Sequence, residues 1–121
     1  MSKRILVVED EEDNRRIMRD LLTSVGYEII EAVTGEEGVD AAATHVPDLI
    51  LMDIQLPGLD GYEATRRIKT NPTLHHIPII VVTSYALSGD DVKAFEAGCN
   101  AYISKPFSPR VLLAKVREYL P

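Results

Sequence analysis

Three carboxylates and one amine in this sequence stand directly after short apolar runs, a placement that lets them meet. Ile5 to Val8 leads into Glu9 and Asp10, Leu49 to Met52 into Asp53, Ile79 to Val82 into Thr83 and Ser84, and Ala101 to Ile103 into Ser104 and Lys105. If the runs are strands of one open α/β sheet, these residues share the rim at the strands' carboxyl ends, where such sheets bind ligands. Carboxylates brought close together raise one another's pKa unless a cation holds them ionised. Mg²⁺ meets that need: it takes octahedral oxygen ligands, commonly one or two carboxylates with water and a phosphate, and no His or Cys competes at this rim. Such a set points to phosphoryl chemistry. Taken singly, Glu9 and Asp10 could cap a helix, Asp53 could start a turn and Lys105 could be a solvated amine; their convergence carries the inference.

The elements that must position them follow from two periodicities. The four runs above, with Glu28 to Ala32, read as strands. Three are almost continuously apolar, as expected of parallel strands covered on both faces. Between them, Ile17, Leu21 and Val25 mark one helical face, widened by Met18 and Leu22, and Gly26 supplies a stop. Thr34 with Glu37 forms a capping box, and Asp60 with Glu63 and Ser88 with Asp91 are looser versions, the former opening a third helix after Gly61. Ser108 before Pro109 starts a last helix carrying Val111, Leu112, Val116 and Leu120. Five strand and helix units in strict alternation imply right-handed crossovers and a doubly wound α/β sandwich.

Composition narrows the function classes. A chain of 121 residues suits one domain, here spanning 1–121, and 45% hydrophobic with 26% charged residues is ordinary for a folded protein. Thirteen basic against nineteen acidic residues give a net charge of −6, which repels nucleic acid and anionic membrane, and no basic patch interrupts it. A lone Cys99 cannot close an intramolecular disulfide, and the residues after Met1 are too sparingly apolar for a signal peptide or a membrane span. A cytoplasmic location is expected, with no direct DNA binding, no membrane association and no output domain after Pro121.

Val7-Val8-Glu9-Asp10, Leu51-Met52-Asp53-Ile54-Gln55-Leu56-Pro57-Gly58, Asp60-Gly61, Val82-Thr83 and Lys105-Pro106 together resemble the receiver domain of bacterial response regulators, over essentially the whole chain. The stretches around Asp53 and Lys105 look like single-domain cell-division regulators, with chemotaxis-type single receivers nearby. The resemblance implies a flavodoxin-like (CheY-like) five-stranded parallel sheet of order 2-1-3-4-5 with five helices.

It also implies roles. Asp53 would take a phosphoryl group from a histidine kinase or a histidine phosphotransfer protein, forming an acyl phosphate. Asp10 would ligate Mg²⁺, Asp53 would share it, Gln55 would offer its backbone carbonyl, and Glu9 would act directly or through water. Glu9 departs mildly from the pattern, since Asp is more usual there. Lys105 would neutralise phosphoryl oxygens, and its bond to Pro106 is expected to be cis. Thr83 and Tyr102 would form the switch, read by a downstream protein target on the fourth helix, fifth strand and fifth helix. The first helix around Asn14, Arg15 and Met18 would dock the kinase. The chain would be no turnover enzyme, but a phosphoacceptor that assists its own phosphorylation and slow dephosphorylation. Gln55 and Tyr85, two residues beyond Asp53 and Thr83, would obstruct attacking water and prolong the phosphoryl state.

Other residues receive structural roles. Consecutive His75 and His76 should face different directions and chelate poorly. His45 favours a helix's negative terminus. Cys99 should pack, as should Tyr62, Phe95 and Phe107. A Mg²⁺-dependent aspartyl phosphatase would need a second Asp where Gln55 stands. A flavin carrier would need a Gly and Ser-rich cradle where Glu9 to Asp13 is acidic. A binding module that has lost phosphorylation would not be expected to keep the acidic set.

Overall fold

Pleating sends alternate residues of a strand to opposite faces, so a strand with helices on both sides must be apolar throughout. The computed structural model, which describes residues 2–83 and 90–121 with all side chains but those of Asp90 and Asp91, has that form in its central strands. Its elements alternate as β1 (Arg4–Val8), α1 (Glu12–Ser24), β2 (Glu28–Ala32), α2 (Gly35–His45), β3 (Leu49–Asp53), α3 (Gly61–Lys69), β4 (Ile79–Thr83), α4 (Asp90–Glu96), β5 (Ala101–Ser104) and α5 (Pro109–Tyr119). All strands are parallel, in the expected order β2-β1-β3-β4-β5. The last three strands each run one residue past their apolar run, so Asp53, Thr83 and Ser104 are final strand residues rather than the first of a loop.

Two apolar layers result. Leu6, Val8, Ile50, Met52, Ile79 and Val81 face Ala42 of α2, Ala64 and Ile68 of α3 and Ala94 of α4. Ile5, Val7, Leu49, Leu51, Ile80 and Val82 face Met18 and Leu22 of α1 and Leu112 and Val116 of α5. The stripe on α1 is therefore shifted from the sequence reading: Met18 and Leu22 are its buried centre, Leu21 is half-buried, and Ile17 and Val25 are exposed. Apolar residues on adjacent helical rows left the centre of the stripe undetermined. Phe95, expected to pack, is half exposed on α4, whereas Tyr62 and Phe107 pack against opposite layers. The buried Cys99 packs as expected, its thiol pushed up to about 11 by burial.

Capping follows the sequence signals. Glu37 N–H donates to Thr34 Oγ1 at 3.0 Å, Glu63 N–H to Asp60 Oδ1 at 2.9 Å and Val111 N–H to Ser108 Oγ at 3.2 Å. The cap assigned to Ser88, and the positions of Ser84 and Tyr85, lie outside the described residues. No helix among the described residues is long and apolar enough to cross a membrane.

One glycine fixes the entry of α3 against the end of β3. Gly61 N–H donates to the Ile54 carbonyl at 2.9 Å, and a Cβ there would lie 2.0 Å from the Asp53 carbonyl oxygen. Gly26 has positive φ but open space around it. Gly61→Ala should therefore cost about 3 kcal/mol or more in urea unfolding, because backbone must move. Gly26→Ala should cost about 1 kcal/mol, for the left-handed conformation alone.

Candidate functional site

Adjacent parallel strands bring their carboxyl ends together. Glu9 follows β1 and Asp53 ends β3, and these strands pair in register from Ile5 with Leu49 to Val8 with Met52. Glu9 is held on its far side by its N–H, which donates to the Ala32 carbonyl at 3.0 Å. The β4–β5 pair ends with Thr83 opposite Ser104, and Lys105 N–H donates to the Thr83 carbonyl at 2.7 Å, turning the lysine into the rim. The Lys105–Pro106 peptide is cis, as expected.

The side chains converge. One carboxylate oxygen each from Glu9, Asp10 and Asp53 lie within 4.8 Å of one another. Glu9 is 1% exposed and Asp53 5%, while Asp10 opens to solvent. Lys105 Nζ donates to Glu9 Oε1 at 2.5 Å and lies 3.6 Å from Asp53 Oδ2. The ammonium is thus seated on Glu9 and only approaches Asp53. Glu11 N–H donates to Glu9 Oε2 at 3.2 Å, and Gln55 N–H reaches Asp53 Oδ1 at 3.4 Å.

Burial, and then the neighbouring Glu9 charge, push the Asp53 carboxyl up to about 7; the Lys105 ammonium and the Gln55 N–H pull the other way without cancelling them. Two buried carboxylates facing one ammonium leave an excess of negative charge that a hard cation would relieve. An all-oxygen donor set of this kind fits Mg²⁺, and Asp10 lies on its solvent-exposed side.

The remaining expected residues fall at different depths. Thr83 is buried at the end of β4 beside Asp53, and Gln55 is exposed just past it. Tyr102 lies two residues back from the Ser104 end of β5, half-buried against the layer under α2, α3 and α4. Of the first-helix residues expected to dock a kinase, Met18 is only 2% exposed and Arg15 is turned inward onto Glu31 and the Glu9 carbonyl. Ile17 instead stands exposed at a cavity of about 440 Å³ that it shares with Asn14, Met18, Lys105, Pro106 and Phe107. Sequence reasoning missed the inward turn of Arg15, because nothing in the spacing marks Glu31 as its partner. His75 and His76 have rings 86° apart and stand outside the acidic group.

Comparison with known proteins agrees with this geometry. Residues 5–117 match the family model of the response regulator receiver domain. The chain is 46% identical to the polar-differentiation response regulator DivK of Brucella ovis, over 99% of this chain and 98% of that one. It is similar to the receiver domain of a sensor histidine kinase from Pseudomonas aeruginosa PAO1 (37% identity, TM-score 0.92, 99% and 98% of the two chains), whose crystal structure holds a magnesium ion in the active-site cleft. A CheY-like receiver domain protein from Methanospirillum hungatei JF-1 matches with 36% identity and a TM-score of 0.90, over 99% and 94% of the chains.

The charge balance gives a pH dependence. A carboxyl whose pKa in the folded protein is about 7 is protonated there while the unfolded chain ionises it, so it opposes folding increasingly from about pH 4 to about pH 7. With divalent ions chelated, Asp53→Asn should raise stability at pH 8 by on the order of 2–4 kcal/mol. The gain should shrink towards zero at pH 4; thermal unfolding across that range checks it.

Proposed function

The chain belongs to the response regulator receiver domain family, and on that premise we propose that it is a single-domain regulator, residues 1–121, which accepts a phosphoryl group on Asp53 in a histidine-to-aspartate phosphorelay. The observation that carries this reading is the buried Asp53 set among Glu9, Asp10 and Lys105 at one rim. The near-complete coverage of the DivK relative supports the single-domain part.

The donor is a phosphohistidine of a histidine kinase or a histidine phosphotransfer protein. An Asp53 carboxylate oxygen attacks phosphorus in line; the new P–O bond makes an acyl phosphate as the P–N bond breaks, and the histidine leaves as neutral imidazole once its nitrogen regains a proton. Asp10, Asp53 and the Gln55 carbonyl, with Glu9 directly or through water, would hold Mg²⁺, which supplies positive charge for the carboxylates and the phosphoryl oxygens. Lys105 moves its ammonium from Glu9 to a phosphoryl oxygen, a short swing given its 3.6 Å approach to Asp53. In this way the chain assists its own phosphorylation, and Gln55 slows hydrolysis by obstructing water.

The modified Asp53 carries about −1.5 to −2 charges where its ionised carboxylate carried one, and it gains three acceptor oxygens. The Thr83 hydroxyl turns to one of these, and Tyr102 settles further inward, changing the surface of α4, β5 and α5 offered to a downstream protein target. The kinase or phosphotransfer helix docks along α1 at Asn14, Ile17 and Phe107, the apolar cavity beside Lys105. The net charge of −6, the lone cysteine and the lack of a membrane-crossing helix among the described residues support a cytoplasmic place without DNA or membrane contact.

Incubation with Mg²⁺ and acetyl phosphate should add one phosphoryl group by intact mass, absent in Asp53→Ala and after chelation of Mg²⁺. Lys105→Met should reduce the phosphorylation rate by about 10²-fold or more, the scale of losing one preorganised charge partner. No adduct on the wild-type chain with either acetyl phosphate or a phosphohistidine donor would leave a phosphorylation-independent binding module.

A further inference from the structure

Arg15 sits in the first turns of α1, yet its side chain is only 16% exposed. Nε donates to Glu31 Oε1 at 3.0 Å, and Nη1 donates to the Glu9 carbonyl oxygen at 3.0 Å. Glu31 lies on β2 and also receives Arg19 Nη1 at 3.4 Å on both carboxylate oxygens. The peptide joining Glu9 to Asp10 is therefore gripped through its carbonyl by a guanidinium anchored on the neighbouring strand. On the other side of Glu9, its N–H is bound to the Ala32 carbonyl, the residue after Glu31. A planar guanidinium can span two such acceptors with fixed, diverging N–H groups; an ammonium presents one point charge and no fork.

We infer that Arg15 is a positioning residue of the cation site, with Glu31 as its anchor: together they fix the Glu9–Asp10 backbone so that both carboxylates project into the rim. This rests on the Mg²⁺-dependent reading above. Neither residue belongs to the acidic group itself. A partly exposed ion pair contributes little global stability, so the effect of losing it should concentrate on the geometry of the segment it holds. The alternative is plain electrostatics, in which Arg15 is just a cation near three carboxylates. The two ideas predict opposite signs. Removing a nearby positive charge should tighten Mg²⁺ binding, whereas releasing the Glu9–Asp10 peptide should weaken it.

The test is calorimetric titration of the full chain with Mg²⁺, with far-ultraviolet circular dichroism as the check of folding. Arg15→Met and Arg15→Lys should each bind Mg²⁺ about tenfold more weakly than wild type, the scale found when outer partners of metal ligands are lost. Glu31→Gln should weaken binding in the same direction by a smaller factor, and adding it to Arg15→Met should bring no further loss. Arg16→Met, which removes an exposed arginine paired with Asp13 on the same helix, should leave the affinity unchanged. Phosphorylation of Arg15→Lys by acetyl phosphate should need more Mg²⁺ for half-maximal rate but reach the wild-type rate at saturation. Affinity within about twofold of wild type, or tighter binding, in a folded Arg15→Met protein would overturn the inference, as would wild-type affinity in Arg15→Lys. If Arg15→Met does not fold, Arg15→Lys and Glu31→Gln decide by the same criteria. Failure of the wild-type chain itself to bind Mg²⁺, or an affinity unchanged by Asp10→Asn, would overturn the cation-site reading and this inference with it.

Discussion

Two carboxylates withdrawn from water side by side, with one ammonium between them, are the constraint around which this fold is arranged. Glu9 and Asp53 are almost fully buried, and Lys105 touches one and approaches the other. Burying charge is costly unless it is paired and hydrogen-bonded, and here the pairing is short by one positive charge. The rest of the molecule acts to keep the three groups in place despite that imbalance. Strand pairing brings β1 next to β3, the Ala32 and Thr83 carbonyls catch the backbones of Glu9 and Lys105, and the two helical layers prevent the strands from drawing apart. An imbalance maintained by an entire domain is a poised site, ready to gain stability from any cation or charge redistribution that corrects it.

The loop that follows Asp53 is confined as closely as the carboxylates. A Cβ on Gly35 would fall 2.1 Å from the Leu59 carbonyl oxygen, and one on Gly61 as close to that of Asp53. Leu59 N–H also donates to the Glu36 carboxylate at 3.3 Å. The starts of α2 and α3 thereby pinch the segment that carries Gln55, and glycine is the residue that lets backbone meet backbone at both places. Rigidity beside Asp53 thus comes from absent side chains as much as from contacts made.

Much of this was legible in the sequence because it rests on local signals. The runs marked all five strands to within a residue, and β3 and β4 most plainly, since a strand covered on both faces admits few polar residues. The caps at Thr34, Asp60 and Ser108 follow from side-chain chemistry within three residues. Glu9, Asp10, Asp53 and Lys105 were legible because each ends an apolar run. What escaped were properties set by distant partners. Ile17 and Met18 are equally apolar, and the position of the sheet alone decides that Met18 goes inside. Phe95 is exposed although its side chain would suit a core, and Arg15 reads as a surface arginine until Glu31, sixteen residues on, is seen beside it.

The sheet also acts as a partition. Tyr102 belongs to the layer beneath α2, α3 and α4, whereas the Ile17 and Phe107 groove is built over the layer beneath α1 and α5, and the apolar strands stand between them. Side chains on opposite faces of a sheet do not share packing neighbours, so changes made one in each layer should combine additively. The groove at Ile17 and Phe107 can therefore drift through successive substitutions without disturbing the packing around Tyr102. A lineage carrying this fold could reshape one of these surfaces while the packing of the other stays intact, insulated by the thickness of one sheet.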